Sequence, residues 1–195
     1  MREDPQPAPR ALTKGRASDA TLTPMATLML APMSDREYAD FAQLQVAEYA
    51  LQHVRAGEWP EAEARARSRR ELKELLSGDL RPSGHGFWRG RVAGVAVGWV
   101  WVAPAPPFVP GDRAAVRWLA QITVEESQRG RGVGRQLLAT LEELLAEAGV
   151  RELWLRVFDW NLPARRLYQA AGYAEVARFA TDAHLCKRLT ARPPR

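Results

Sequence analysis

An α/β fold, a mixed sheet flanked by helices, is predicted by three features of this 195-residue sequence. A strand-like run, Trp118 to Val124, passes through a glycine-rich turn straight into an amphipathic helix, Arg135 to Ala148. A Val- and Trp-rich hairpin, Phe87 to Val92 and Val95 to Val102, supplies core strands. A capped helix pair follows the first strand. The length suits one domain large enough to bury a proper core.

Taken in order, residues 1–26 are rich in Pro, Ala, Thr and isolated charges without helical or strand period, and are expected to form a disordered extension. Met25 precedes the first strand, Thr27 to Ala31, and is a second possible translation start beside Met1. Residues 27–190 then form a single domain, with 191–195 as a tail. Ser34 and Glu37 make a capping box. The helix that begins there is expected to bury Tyr38, Phe41, Leu44, Ala47, Leu51 and Val54, and to stop at Gly57. A second helix starts near Pro60 and ends before Gly78.

The hairpin turns at Ala93-Gly94. The stretch Ala103 to Asp112 holds four prolines, which cannot donate to a ladder, so it is a loop, and the sheet resumes over Ala114 to Val124. The helix after the glycine turn buries Leu137, Leu138, Leu141, Leu144, Leu145 and Ala148, and Gly149 stops it. Leu153 to Phe158, Ala174 to Phe179 and Ala183 to Leu189 supply the remaining strands.

Composition narrows the function classes. The only cysteine, Cys186, excludes an internal disulfide framework. The three histidines, His53, His85 and His184, are scattered, so no metal site is expected. No apolar run is long enough to span a bilayer and the N-terminus lacks a secretory segment, so no membrane association is expected and the cytoplasm is the expected location. The net charge of +5 would attract polyanions. However, basic and acidic residues alternate from Glu61 to Leu76, as on a solvated, salt-paired face, and no nucleic-acid partner is expected.

The glycine turn carries the chemistry. In Gln128-Arg129-Gly130-Arg131-Gly132-Val133-Gly134-Arg135 the alternating glycines leave backbone N–H groups uncovered at a helix start, a setting suited to a phosphate or pyrophosphate. A dinucleotide fingerprint lacks its third glycine, because Arg135 or Leu137 stands there, and no Gly-Lys-Ser/Thr exists for a P-loop. A second motif lies downstream, Asn161-x-Pro163-Ala164-Arg165-x-Leu167-Tyr168-x-x-x-Gly172-Tyr173.

Arg129-x-x-Gly132-x-Gly134 resembles the coenzyme A signature of the Gcn5-related N-acetyltransferase (GNAT) superfamily, and the second motif resembles that family's closing motif. Tyr49 through Glu61 is similar to a poorly characterised bacterial branch of it. The resemblance implies the GNAT fold: a mixed, mostly antiparallel sheet of six to seven strands flanked by helices, splayed between the fourth and fifth strands. It also implies acetyl-CoA as co-substrate and direct transfer of an acetyl group to a primary amine, on a small molecule or a protein, in a ternary complex. A non-catalytic CoA-binding regulatory module is the alternative. The oligomer is expected to be a monomer or homodimer.

By the same resemblance, backbone groups of Ile122, Thr123 and Val124 pair with the pantetheine arm. Arg129, Gly130, Arg131, Gly132, Val133 and Gly134 hold the diphosphate, with Asn161 and Arg165 as further cofactor contacts. Tyr168 points at the sulfur as the catalytic acid. Packing in the core beside Tyr173 is the other reading of Tyr168, and a helix-boundary core role the other reading of Trp59. Glu58 and Trp59, between the first two helices, are the acceptor-binding candidates, a carboxylate for a cation and a flat apolar wall. The family's strand carboxylate is missing from Ala120-Gln121-Ile122-Thr123-Val124; Glu125 and Glu126 follow it, where they read equally as solvent-facing loop charges, and the general base is left open among ordered water, Glu58 and His85.

Overall fold

The computed structural model describes residues 27–75 and 81–190. The expected N-terminal extension, the alternative start at Met25, the tail and the end of the second helix lie outside the described residues. Within them the order is β1 (Leu28–Pro32), α1 (Asp35–Arg55), α2 (Glu61–Leu75), β2 (Gly86–Val92), β3 (Val95–Pro104), β4 (Val116–Val124), α3 (Val133–Glu147), β5 (Glu152–Phe158), α4 (Leu162–Ala170), β6 (Ala174–Arg178) and β7 (Asp182–Arg188).

The strands form one sheet in the order β1-β2-β3-β4-β5-β7-β6. Every pair is antiparallel except β4 with β5, which α3 joins as a crossover. Sheet and helices match the GNAT architecture expected.

The β4–β5 pairing covers only Val116↔Glu152 through Leu119↔Leu155. On its other side β4 pairs with β3 as far as Val124, but the register slips between Trp101↔Gln121 and Val102↔Leu119, leaving Ala120 unmatched. A bulge bends its strand and increases local twist. Here it sits where β4 parts from β5, and the sheet splays open from that point.

Two apolar clusters cover the two faces. The larger joins α3 and α4 to the sheet through Leu137, Leu138, Leu141, Tyr168, Leu153, Leu155 and Val157. Leu137 seats in a depression made by Gly90 and Gly98, which face each other across β2 and β3. A Cβ on Gly98 would stand 2.3 Å from the Thr123 carbonyl oxygen and 2.7 Å from Leu137 Cδ1, so no larger residue fits. The second cluster packs α1 and α2 on the opposite face through Met33, Tyr38, Phe41, Leu72, Phe87 and Trp101.

The capping box of α1 is present, with Ser34 Oγ accepting from the Glu37 amide and the Glu37 carboxylate accepting from the Ser34 amide. The expected stripe on α1 needs correction. Tyr38 and Phe41 are buried, but Leu44, Ala47 and Leu51 are exposed, while Gln45, Ala50 and His53 are buried in their place. The physical reason is helical phase. At about 100° per residue, the expected stripe drifts roughly 160° around the helix between Tyr38 and Val54. The line through Phe41, Gln45, Tyr49 and His53 stays on one side.

Candidate active site

Two strands with alternating chemistry build the cleft. On β5, Leu153, Leu155 and Val157 enter the larger core, and period-two geometry sends Trp154, Arg156 and Phe158 to the other face. On β7, Ala183 and Leu185 enter the core, and Asp182, His184 and Cys186 share the face of their register partners Phe158, Arg156 and Trp154. A cleft of about 1590 Å³ runs over this face. It extends from the α1–α2 connection, past the β4–β5 gap, to α4.

Ile122, Asn161, Tyr168 and Glu58 line this cleft. Thr123 and Val124 continue the β4 edge beyond it toward the glycine turn, and the Thr123 hydroxyl accepts from Gln121 Nε2 at 3.0 Å. At the turn, Gly130 and Gly132 take left-handed backbone angles, φ 74° and 78°, which side chains resist. Gly132 is the N-cap of α3 and offers no side chain to the first helical amides. Gly134 stands where α3 meets β4 and α4, with Val124 and Leu167 at 3.5 and 3.6 Å from the position of a Cβ. Arg129 and Arg131 are exposed, and Arg129 Nε donates to the Val124 carbonyl at 3.3 Å. Val133 is buried in the core.

Asn161 caps α4, its side chain accepting from the Ala164 amide at 3.3 Å. Tyr168 is 6% exposed and packs 5.5 Å from the Tyr173 ring, so it both belongs to the core and lines the cleft. Burial pushes its phenol well above the usual range, so it stays protonated at neutral pH. Arg165 is engaged elsewhere, donating to Asp159 at 2.5 Å and lying 3.9 Å from Glu175.

Trp59 is buried with Ala50 and Ala64, lies beneath His53, and is absent from the cleft wall. The wall role anticipated for it gives way to packing, because the stacked imidazole covers its face.

Glu58 is the hub of a polar network. His53 Nδ1 lies 2.5 Å from its Oε2, Arg156 donates to Oε1 at 2.5 Å, and the Thr181 hydroxyl is 3.3 Å from Oε1. Arg156 also donates to Asp182 Oδ2 at 2.7 Å. Desolvation lowers the His53 pKa, more than the Glu58 contact raises it, which favours the neutral ring.

Two other residues are less suited to act as the base. The Trp101 indole donates to His85 Nδ1 at 2.9 Å, so Nε2 carries the ring proton and His85 meets the cleft as a donor. Glu125 is paired with Arg89 at 2.6 Å and, unlike Glu58, does not line the cleft. Sequence reasoning missed Arg156, Asp182, Thr181 and the placement of His53 on the cleft. The signal for Arg156 and Asp182 was present, as the polar half of two alternating strands. That of Thr181, in a tight turn, and His53, on a misphased helix, was not.

The acetyltransferase (GNAT) family matches residues 48–173. An uncharacterized N-acetyltransferase of Bacillus subtilis, YycN, is 32% identical over 164 residues, 84% of this chain and 99% of the relative. Its crystal structure superposes with a TM-score of 0.73 over 80% of this chain and 97% of that one. The PaiA N-acetyltransferase of Thermoplasma acidophilum, crystallised with coenzyme A, shares the fold at a TM-score of 0.61 and 15% identity, over 83% of this chain and 99% of that one. The spermine/spermidine N(1)-acetyltransferase of Bacillus subtilis is 30% identical over 81 residues, 41% of this chain and 53% of the relative. The chain belongs to the acetyltransferase (GNAT) family and is an acyltransferase.

Proposed function

We propose that this enzyme transfers an acetyl group from acetyl-CoA to the primary amine of a small molecule, by direct attack within a ternary complex. The observation that carries the reading is the unpaired edge of β4 beyond Leu119, which leads from a cleft lined by Tyr168 to the glycine turn at the start of α3. Backbone groups of Ile122, Thr123 and Val124 receive the pantetheine arm as a neighbouring strand would. The amides from Arg129 to Gly134 take the diphosphate, helped by the α3 dipole. The bare backbone at Gly132 suits such a ligand, with no atom within 4 Å of where a Cβ would stand. Asn161 borders the arm where it enters the cleft.

Acetyl-CoA supplies an activated carbonyl and a thiolate leaving group. The protein must bring in a neutral amine and protonate the departing sulfur. Glu58 receives the proton that the ammonium sheds, directly or through a water, and Arg156 and His53 hold its carboxylate in place. The amine nitrogen bonds to the carbonyl carbon, the C–S bond breaks, Tyr168 donates its proton to the sulfur as charge develops there, and the second proton that the nitrogen sheds on becoming an amide passes through solvent to restore the phenol. A CoA-binding module without chemistry drew its support from the carboxylate missing in β4; Glu58 and Asp182 supply carboxylates from other elements of the cleft.

The test is thermal unfolding with and without acetyl-CoA, for the wild type and Gly134→Glu. A Cβ at Gly134 makes only ordinary contacts, and a carboxylate added in the first turn of α3 opposes a bound diphosphate. At a hundredfold excess over Kd the wild-type midpoint should rise by about 5–10 °C, and the variant's should not. A wild-type midpoint unmoved at millimolar acetyl-CoA would overturn the reading.

A further inference from the structure

Asp182 is 4% exposed, and only one of its carboxylate oxygens is satisfied. Arg156 donates to Oδ2, while Oδ1 is buried with no hydrogen-bond partner. Leaving a charged acceptor unpaired in the interior is costly, and an N–H donor brought by a ligand removes that cost. The surrounding charges define the ligand further. Among the described residues lining the cleft, the charged groups are Glu58, Asp182 and Arg156, with His53 held toward its neutral form. The cleft therefore carries one surplus negative charge, which a single ammonium neutralises and a polycation exceeds.

What adjoins Asp182 is aromatic. His184 lies two residues along the same face of β7, with the Phe179 ring 4.7 Å and the Phe108 ring 5.1 Å from it. Phe108 also meets Trp118 edge to face at 5.8 Å. Phe108 and Phe179 line the cleft yet are 61% and 50% exposed, unusual for rings of that size and favourable to cover.

On the basis of the acetyl-transfer reading above, we propose that the acceptor is a monoamine carried on an aromatic body, its ammonium anchored on Asp182 Oδ1 and its ring covering Phe108 and Phe179. The anchored ammonium stands beside the guanidinium that Asp182 shares with Glu58, the group that takes its proton before attack.

Steady-state acetylation of phenethylamine and of spermidine by the full chain tests this, for wild type, Asp182→Asn and Phe108→Ala, with acetyl-CoA stabilisation measured on the same samples. Wild type should favour phenethylamine in kcat/KM by about tenfold or more, and Asp182→Asn should raise its KM by about tenfold or more with acetyl-CoA stabilisation retained. Phe108→Ala should narrow the preference by roughly threefold to tenfold. A preference for spermidine, or an Asp182→Asn KM equal to wild type, overturns the proposal. Stabilisation by acetyl-CoA with neither amine turned over overturns the acceptor class and leaves the transfer reading standing. Absence of stabilisation removes both. Should Asp182→Asn not fold, Phe108→Ala decides, because its ring is exposed: an unchanged preference overturns the proposal.

Discussion

The His53 imidazole lies flat on the Trp59 indole, ring centroids 4.0 Å apart and planes within 9°. The same ring holds Glu58 through Nδ1. The indole therefore sets the position of the cleft carboxylate from one layer below. Trp59→Ala should destabilise the fold by about 3–5 kcal/mol and raise the acceptor KM, while acetyl-CoA affinity is unchanged. Urea unfolding beside initial-rate kinetics checks both, and Trp59→Phe should restore most of each.

Tyr168→Phe keeps the buried ring and removes only the phenolic proton. The expected outcome is a fall in kcat of about a hundredfold, with the acetyl-CoA midpoint shift intact. A variant at wild-type kcat would mean that the sulfur takes its proton from solvent and that Tyr168 serves packing alone.

Arg156 bridges two carboxylates from different elements, Glu58 and Asp182. Both bonds leave the one Nη2, which the planar guanidinium holds in place; lysine keeps the charge but carries it on a flexible stem without that fixed plane. Arg156→Lys should raise the acceptor KM about tenfold and leave acetyl-CoA binding alone. Equal losses in both binding steps would point instead to a general loosening of β5.

Acid should destabilise the protein through its buried histidines. Burial holds the pKa values of His53, His85 and His184 below the ordinary histidine value. As pH falls below about 6.5 the unfolded chain takes up protons that the folded state resists, so stability present above that pH is lost on acidification. Glu37, whose pKa is lowered first by the Ser34 amide, adds a further loss below about 4.5. Chemical denaturation at pH 7.5, 6 and 5 should show a progressive fall, and His53→Phe should flatten it. A profile level from pH 7.5 to 5 would contradict the desolvation account.

Gly98→Ala tests the seat of α3. Its Cβ would meet the Thr123 carbonyl, which is main chain and cannot swing aside. A loss of about 3 kcal/mol is expected, read as a lowered urea midpoint.

Much of this was legible in the residues. The glycine turn, the Asn161 to Tyr173 motif and the strand–helix alternation lead to the observed order of elements. Glu58 was visible because it stands at a helix junction. The rest of the cleft was not, for physical reasons. Asp182 and Arg156 are brought together only by β5–β7 pairing, across 26 residues of chain. Gln45 and His53 are buried polar residues, and polarity hides a position from a search for apolar stripes. Leu44 and Leu51 misled for the converse reason, being apolar yet exposed on the outer face of α1.

Ala120 has a consequence for strand parity. Leu119 faces the larger core, and so do Ile122 and Val124, which strict alternation from Leu119 would send to the opposite side. One surplus residue inverts the odd–even rule, keeping Gln121 and Thr123 out of the core while turning the strand away from its parallel neighbour. Deleting Ala120 would restore strict alternation with Ile122 and Val124 still on the core side of Leu119. It would also remove the mismatch that parts β4 from β5. The binding cleft of this enzyme thus depends on an arithmetic offset of one between adjacent strands, and it would be lost to a single-codon deletion that touches no side chain of the site's chemistry.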